Sequence, residues 1–185
     1  MRFNNHYELA GKHAFLSASK YHWTNYDVEK LEATFRRSEA ARRGDALHQL
    51  AKDAITLGVK FPRNSKTINQ YVNDAIGFRM KPEQTLFYSH NAFGTADTIS
   101  FRNNFLRIHD LKTGESPTSM RQLVVYVALF CLEYGFRPAD IQIELRIYQL
   151  DDVEIYVPEL DEVAHVMSQL ITFDKIIDAI RAEAA

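Results

Sequence analysis

Two carboxylates and an amine, those of Asp97, Asp110 and Lys112, are spaced so that a β-hairpin would bring them to one place. Lys112 follows Asp110 by two residues, which keeps both on the same side of a strand. Two like charges that face each other across a sheet repel unless a cation lies between them. Lys112 could supply that cation, and so could Mg²⁺ or Mn²⁺, which suit carboxylate oxygens and phosphate. A metal held beside an ammonium can bind a phosphodiester, generate hydroxide and neutralise developing charge. A structural salt bridge between Lys112 and one aspartate is the alternative that these residues leave open.

The hairpin is predicted from residues 94–101 and 105–111, which are short, rich in β-forming residues and bounded by turn residues. The pair Asn103-Asn104 between them suits a two-residue type I′ turn, because asparagine tolerates the positive φ that this turn requires. Such a turn sets Asp97 opposite Asp110. The same register places four apolar side chains on one buried face, those of Ile99, Phe101, Leu106 and Ile108. A register slip by one residue would move the apolar side chains of one strand to the opposite face.

The elements around the hairpin predict the order helices, three strands, a helix, two strands and a final helix. Apolar residues recur at three- and four-residue steps through residues 25–59, where Gly44-Asp45 is predicted to separate two helices and Asp45 to cap the second. The other predicted elements are helices at residues 67–76, 120–134 and 158–180 and strands at 85–91, 141–148 and 153–157. The fold class is therefore α/β, with a central mixed β-sheet flanked by helices.

Composition excludes several classes of protein. The 185 residues carry a formal net charge of −2 and are 46% hydrophobic, which fits one globular domain and excludes disorder as its main state. Cys131 is the single cysteine, so a disulfide framework or a cluster held by several thiolates is excluded. No apolar run approaches the roughly 18 residues of a membrane span, and the N-terminus lacks the pattern of a signal peptide. We therefore expect a cytoplasmic protein with no membrane partner.

The residues around the hairpin resemble the PD-(D/E)XK nuclease superfamily. Residues 94–97 (GTAD) and 110–114 (DLKTG) are similar to its bipartite core, closest in style to the RecB-like branch with its phage exonucleases and CRISPR-associated nucleases. Residues 44–48 (GDALH) resemble the branch's helical glycine-to-histidine element, and residues 122–126 (QLVVY) resemble its glutamine-tyrosine helical signature. The proline of the superfamily's name is absent before Asp97, as is common in this branch.

The resemblance implies a restriction-endonuclease-like core with an N-terminal helical segment. Residues 1–185 would form a single nuclease domain, helical over residues 1–80, with a catalytic β-sheet core and C-terminal helix over 81–185. The implied function is a divalent-metal-dependent DNA nuclease, and most directly an exonuclease of phage or mobile-element recombination, repair or replication. A non-catalytic nucleic-acid-binding or adaptor protein on the same fold and a structure-specific endonuclease are the alternatives.

The metal site implied by the resemblance has His48, Asp97 and Asp110 as ligands of Mg²⁺ or Mn²⁺, with the backbone carbonyl of Leu111 as a further ligand. The cysteines that hold an iron–sulfur cluster in some relatives are missing, so no such cluster is expected. For His48, which borders an apolar helix face, the alternative is a histidine that belongs to the core.

The catalytic residues implied by the resemblance are Lys112, Gln122 and Tyr126, together with the two aspartates. Lys112 would orient or activate the attacking water and stabilise the phosphate. Gln122 and Tyr126 are four residues apart, so they share one face of their helix, which in the family meets the active site and the DNA backbone. Burial of both within the helix packing is the alternative.

Four arginines precede His48 on its predicted helical stretch and could contact DNA phosphates; they are Arg36, Arg37, Arg42 and Arg43. A solvated helix face, which also carries Glu39, is the alternative. DNA is the expected partner. A homo-oligomer and a recombination or single-strand-binding partner protein remain open, and a phage-encoded chain would act in the host cytoplasm.

Overall fold

The computed structural model of the chain describes residues 5–9 and 11–183. The chain divides into two compact units, Met1–Arg43 and Gly44–Ala185. Within the first unit, the rings of Phe15 and Phe35 meet edge to face with centroids 5.1 Å apart. None of the helices in the described ranges is long and apolar enough to cross a membrane.

A mixed five-stranded sheet forms the centre of the second unit, with the strands side by side in chain order. The strands are β1 (Lys81–Ser89), β2 (Ala92–Arg102), β3 (Phe105–Leu111), β4 (Gln142–Gln149) and β5 (Asp152–Tyr156). Neighbouring strands are antiparallel except β3 and β4, which are parallel and are joined through a helix. The predicted α/β class with a central mixed sheet is confirmed.

Helices cover the two faces of the sheet with separate apolar cores. The larger core joins one face to α3 (Arg121–Tyr134), and α4 (Leu160–Glu183) adds the buried Val163 to it. The smaller core joins the other face to the C-terminal part of α1 (Val28–Leu57) and to α2 (Thr67–Gly77). On β3 and β4 the two cores take residues of opposite faces, with Ile108 and Ile147 in the larger core and Leu111 and Tyr148 in the smaller one, as a pleated sheet buried on both sides requires.

The predicted hairpin between β2 and β3 is present in the predicted register. Asn103 and Asn104 adopt φ angles of 51° and 56°, as a type I′ turn demands. Ile99 pairs with Ile108 and Phe101 with Leu106, and all four side chains belong to the larger core. The backbone pairing ends at Thr98 and His109, one pair before Asp97 and Asp110.

The predicted break at Gly44-Asp45 is wrong, because α1 runs without interruption from Val28 to Leu57. Asp45 therefore caps no second helix. A glycine inside a helix costs only about 1 kcal/mol relative to alanine, and Gly44 is buried at a close packing contact that favours the absence of a side chain. The other predicted elements are present, with ends that differ by up to four residues; β1, for example, begins at Lys81 rather than at residue 85.

Candidate functional site

Asp97 lies in the middle of β2, just beyond the point where its pairing with β3 ends, and Asp110 lies near the end of β3. They do not form the expected cross-strand pair. The side chain of Asp97 turns to the end of β3, where its Oδ2 accepts a 3.0 Å hydrogen bond from the backbone N–H of Leu111. The Leu111 side chain is buried in the smaller core, which fixes that N–H in place. Asp110 is only 2% exposed. A buried carboxylate is unfavourable without a cation or hydrogen-bond donors close by.

Lys112 brings its ammonium to Asp110. Its Nζ lies 3.1 Å from Oδ1 and 2.9 Å from Oδ2 of that carboxylate. The same Nζ donates a 3.0 Å hydrogen bond to Oε1 of Gln122 on α3. The backbone N–H of Lys112 donates to the carbonyl of Tyr148 on β4 at 2.9 Å, which extends the parallel pairing by one residue. The sheet therefore positions the backbone of this lysine, and α3 positions its amine.

Asp97 has an unfavourable electrostatic environment. Burial raises the pKa of its carboxyl to about 6, and the negative charge of Asp110 adds to this increase. The Leu111 N–H, His48 and Lys112 act in the opposite direction without cancelling it. The pair of aspartates therefore carries more negative charge than its surroundings balance, and an added cation would relieve this.

His48 reaches the same carboxylate from α1. Its Nδ1 lies 3.4 Å from Oδ2 of Asp97, and its side chain is one-third exposed, so it is not enclosed in the core. Gly44, one helical turn earlier, faces Thr113, and a Cβ at position 44 would lie 2.7 Å from the Thr113 hydroxyl oxygen. The missing side chain thus lets α1 lie against the residue that follows Lys112.

Gln122 and Tyr126 share the side of α3 that faces the aspartates, as their spacing predicts. Nε2 of Gln122 donates to the Tyr126 hydroxyl at 3.1 Å, and that hydroxyl donates to the carbonyl of Thr95 on β2 at 2.7 Å. Together with the Lys112–Gln122 bond, these contacts make one continuous chain of hydrogen bonds from Asp110 to the backbone of β2. Gly94 leaves space for the tyrosine ring.

These residues fit a hard divalent cation. Oδ2 of the buried Asp110 accepts no hydrogen bond of acceptable geometry from the described part of the chain, although Nζ of Lys112 is near. No three His, Cys, Asp or Glu side chains within residues 5–9 and 11–183 form a ready-made metal cage. The three ligands that the resemblance implies, His48, Asp97 and Asp110, are therefore not gathered into one such group among the described residues. The two carboxylates suit Mg²⁺ or Mn²⁺, since Mg²⁺ is usually bound by one or two carboxylates and keeps several waters.

The arginines predicted to bind nucleic acid lie in the first unit, on the N-terminal part of α1. Arg42 forms a 2.8 Å ion pair with Glu39, and Arg36 lies 3.8 Å from Glu32. All four are exposed. The contacts of these two arginines with acidic residues of their own helix agree with the solvated-face alternative. A role of Arg36, Arg37, Arg42 and Arg43 at phosphates stays a prediction.

One effect of the aspartates was not anticipated from the sequence. Tyr71 on α2 is 3% exposed, and its pKa is raised well above the usual value, first by burial and next by the charge of Asp97. Its position in the sequence indicates only a core residue, because α2 has ordinary apolar periodicity. Nothing local in the sequence shows that the charge of an aspartate acts on its hydroxyl.

No protein-family model, no curated protein and no solved structure matches the chain. The support for a function therefore comes from Asp97, Asp110 and Lys112 and from the groups that contact them.

Proposed function

We propose that this chain is a divalent-metal-dependent nuclease that hydrolyses DNA phosphodiester bonds on a restriction-endonuclease-like core. The main support is the amine of Lys112 at the buried carboxylate of Asp110, beside an Asp97 whose pKa is raised. Here an ammonium lies beside two carboxylates whose negative charge is not fully balanced by their surroundings. This arrangement is suitable for binding a metal and a phosphate group. The resemblance to PD-(D/E)XK nucleases supports the same proposal.

The metal would be held by His48, Asp97 and Asp110, with the Leu111 carbonyl as a further ligand. Bound Mg²⁺ or Mn²⁺ would supply positive charge at the phosphate and lower the pKa of a bound water. His48 and Asp97 already lie within 3.4 Å of each other. The Leu111 N–H donates to Oδ2 of Asp97 and so supports the orientation of this one ligand.

Lys112 would bind a phosphate oxygen and stabilise the negative charge that develops during the attack. Its ammonium has three protons, and the two contacts to Asp110 and Gln122 leave it a further donor. Gln122 and Tyr126 are positioning residues in this proposal. Their hydrogen bonds tie the amine to the backbone of β2 at Thr95 and reduce the freedom of a long side chain.

Exonuclease action in recombination, repair or replication is the form of the activity that we propose. A non-catalytic DNA-binding or adaptor protein is the alternative. Such a protein would need no metal, and without a metal the paired carboxylates would repel the phosphate backbone of DNA. A structure-specific endonuclease would use the same chemistry on another DNA shape, so the substrate must distinguish the two.

The test compares the wild type with Asp110→Asn and Lys112→Ala on end-labelled linear DNA and on covalently closed circles. Each reaction is run with Mg²⁺, with Mn²⁺ and with EDTA. Asp161→Asn and Lys175→Ala are matched controls, since both residues are exposed on α4. We expect metal-dependent cleavage of linear DNA that either site substitution abolishes and neither control changes.

Other outcomes would assign the chain differently. A wild type that binds DNA but leaves it intact with both ions would favour the adaptor. Efficient cutting of closed circles would favour the endonuclease. Circular dichroism and thermal melting of each variant separate a loss of chemistry from a loss of fold.

A further inference from the structure

A cavity of about 430 Å³ adjoins the proposed catalytic lysine. Its lining combines apolar side chains, among them Leu47, Ile68 and Leu150, with the cationic side chains of Lys66 and Lys112. The cavity therefore joins an apolar surface to two lysines, one of which belongs to the candidate site. Asp151 also lines it, with its Oδ1 bound to the N–H and hydroxyl of Thr67.

Leu150 has an unusual backbone conformation for its residue type. It forms the two-residue turn between β4 and β5 with Asp151, and their φ angles are 51° and 61°. The turn between β2 and β3 has nearly the same angles but uses Asn103-Asn104, the residue type that such turns favour. A leucine with positive φ is strained, and the side chain of Leu150 gains little burial in return because the residue is 67% exposed.

Hydrogen bonds hold this turn in place from two sides. Oδ1 of Asp151 accepts from the backbone N–H and the hydroxyl of Thr67 at 2.8 and 3.0 Å, and the Asp151 N–H donates to that hydroxyl at 2.7 Å. On the other side, Gln149 donates to the carbonyl of Gly114, in the loop that follows Lys112, at 2.6 Å. A strained residue persists when its surroundings over-determine it, and such residues cluster at ligand sites.

We propose that this cavity receives the sugar and base of the nucleotide next to the phosphate bound at Lys112. Leu150, with Leu47 and Ile68, would contact the apolar faces of that nucleotide, and Lys66 would pair with a neighbouring phosphate. This inference rests on the proposed function, because it takes Lys112 as the place of the scissile phosphate.

The chemistry of the lining favours single-stranded DNA as the occupant. Every base has an apolar π-face, so contact with leucine and isoleucine side chains binds any sequence. The lysines complement the phosphates on both sides of the nucleotide. The cavity is also continuous with the candidate site, since Leu111 and Lys112 line both.

The test measures binding of a fluorescein-labelled single-stranded oligodeoxynucleotide by fluorescence anisotropy. Ca²⁺ replaces Mg²⁺ in the buffer, so that a hard cation balances the paired acids while cleavage is not supported. For Leu150→Asn we expect the Kd to rise about tenfold, as for loss of the apolar contact of one leucine side chain. The Tm should stay equal or rise, because asparagine tolerates this φ. Leu57→Asn is the control, since Leu57 is 75% exposed and outside the lining, and its Kd should equal that of the wild type.

Two further reagents separate base contact from a general effect on the fold. An oligonucleotide with abasic sites throughout should bind wild type and Leu150→Asn equally, because it lacks the group that Leu150 contacts. Leu150→Met keeps an apolar side chain and should keep the wild-type Kd. Equal Kd values of wild type and Leu150→Asn for normal DNA would overturn the subsite, and so would weakened binding by Leu150→Met.

Failure of this inference is distinguishable from failure of the proposed function. If cleavage depends on Lys112 but the Kd for DNA is unchanged in Leu150→Asn, only the proposed subsite is overturned. If DNA binding depends on Leu150 but the protein never cleaves DNA, only the proposed nuclease activity is overturned. If the wild type neither binds nor cleaves DNA, both proposals are overturned.

Discussion

Gly94 and Tyr126 lie so close together that a Cβ atom at position 94 would come within 2.9 Å of Cε1 of the tyrosine ring. The ring cannot easily move away, because its hydroxyl donates to the Thr95 carbonyl and accepts from Gln122. Gly94→Ala should therefore displace Tyr126 and, through Gln122, the amine of Lys112. We expect a loss of at least about tenfold in cleavage rate, as for misplacement of a positioned catalytic group, with a lowered Tm.

A double-mutant cycle checks the origin of that loss. In a Tyr126→Ala background the methyl group of Gly94→Ala meets no ring, so the second substitution should have almost no further effect. Full additivity of the two losses in cleavage rate and Tm would contradict the steric explanation.

Cys131 should be inert in the folded protein. Burial raises the pKa of its thiol to about 11, and the residue is 1% exposed, so thiolate is scarce at pH 8 and reagents have little access. N-ethylmaleimide should therefore label Cys131 only after denaturation, as mass spectrometry would show, and the treated native protein should keep its cleavage rate. Rapid labelling of the native protein would show that α3 opens readily at this position.

Local rules were sufficient for the hairpin and for the residues that depend on it. Asn103-Asn104 favours a type I′ turn, because few residue types tolerate positive φ at both central positions. The apolar alternation on both strands agrees with the register that this turn sets. This is why the end of β3, with Asp110 and Lys112, could be placed from the sequence. The expectation for Asp97 was less accurate, since its carboxylate binds the Leu111 N–H after the backbone pairing has ended.

Contacts between distant parts of the chain could not be predicted in this way. Gly44 has the local signature of a helix break, but α1 continues through it, and the missing side chain leaves room for the Thr113 hydroxyl. The tie between Asp151 and Thr67 joins a turn to a helix start 84 residues away, and neither position indicates the other. Such features depend on tertiary packing, which overrides intrinsic propensity.

The ion pair of Lys112 with Asp110 should matter for both stability and catalysis. Lys112→Met leaves the Asp110 carboxylate buried without its cation, which should lower the free energy of unfolding by about 1–3 kcal/mol and abolish cleavage. In the double variant Lys112→Met/Asp110→Asn the stability should largely return, because no charge remains buried, while the activity stays lost. Urea unfolding and cleavage assays measure the two effects. Cleavage by the stable double variant would reduce this pair to a structural salt bridge.

Asp97 should destabilise the metal-free protein at neutral and alkaline pH. Its pKa lies at about 6 in the fold against an ordinary 3.8, so the fold favours the protonated form. The stability that this form contributes is complete below pH 4 and is lost as the pH rises through about 6. Asp97→Asn should therefore raise the Tm in EDTA at pH 8 by a few degrees, change it little at pH 4, and abolish cleavage.

Mg²⁺ should raise the Tm of the wild type at pH 8 and leave that of Asp97→Asn almost unchanged, because ligand binding stabilises only the form that binds. A variant that melts below the wild type in EDTA at pH 8 would show that Asp97 serves the fold, through its bond to the Leu111 N–H, more than it serves a metal.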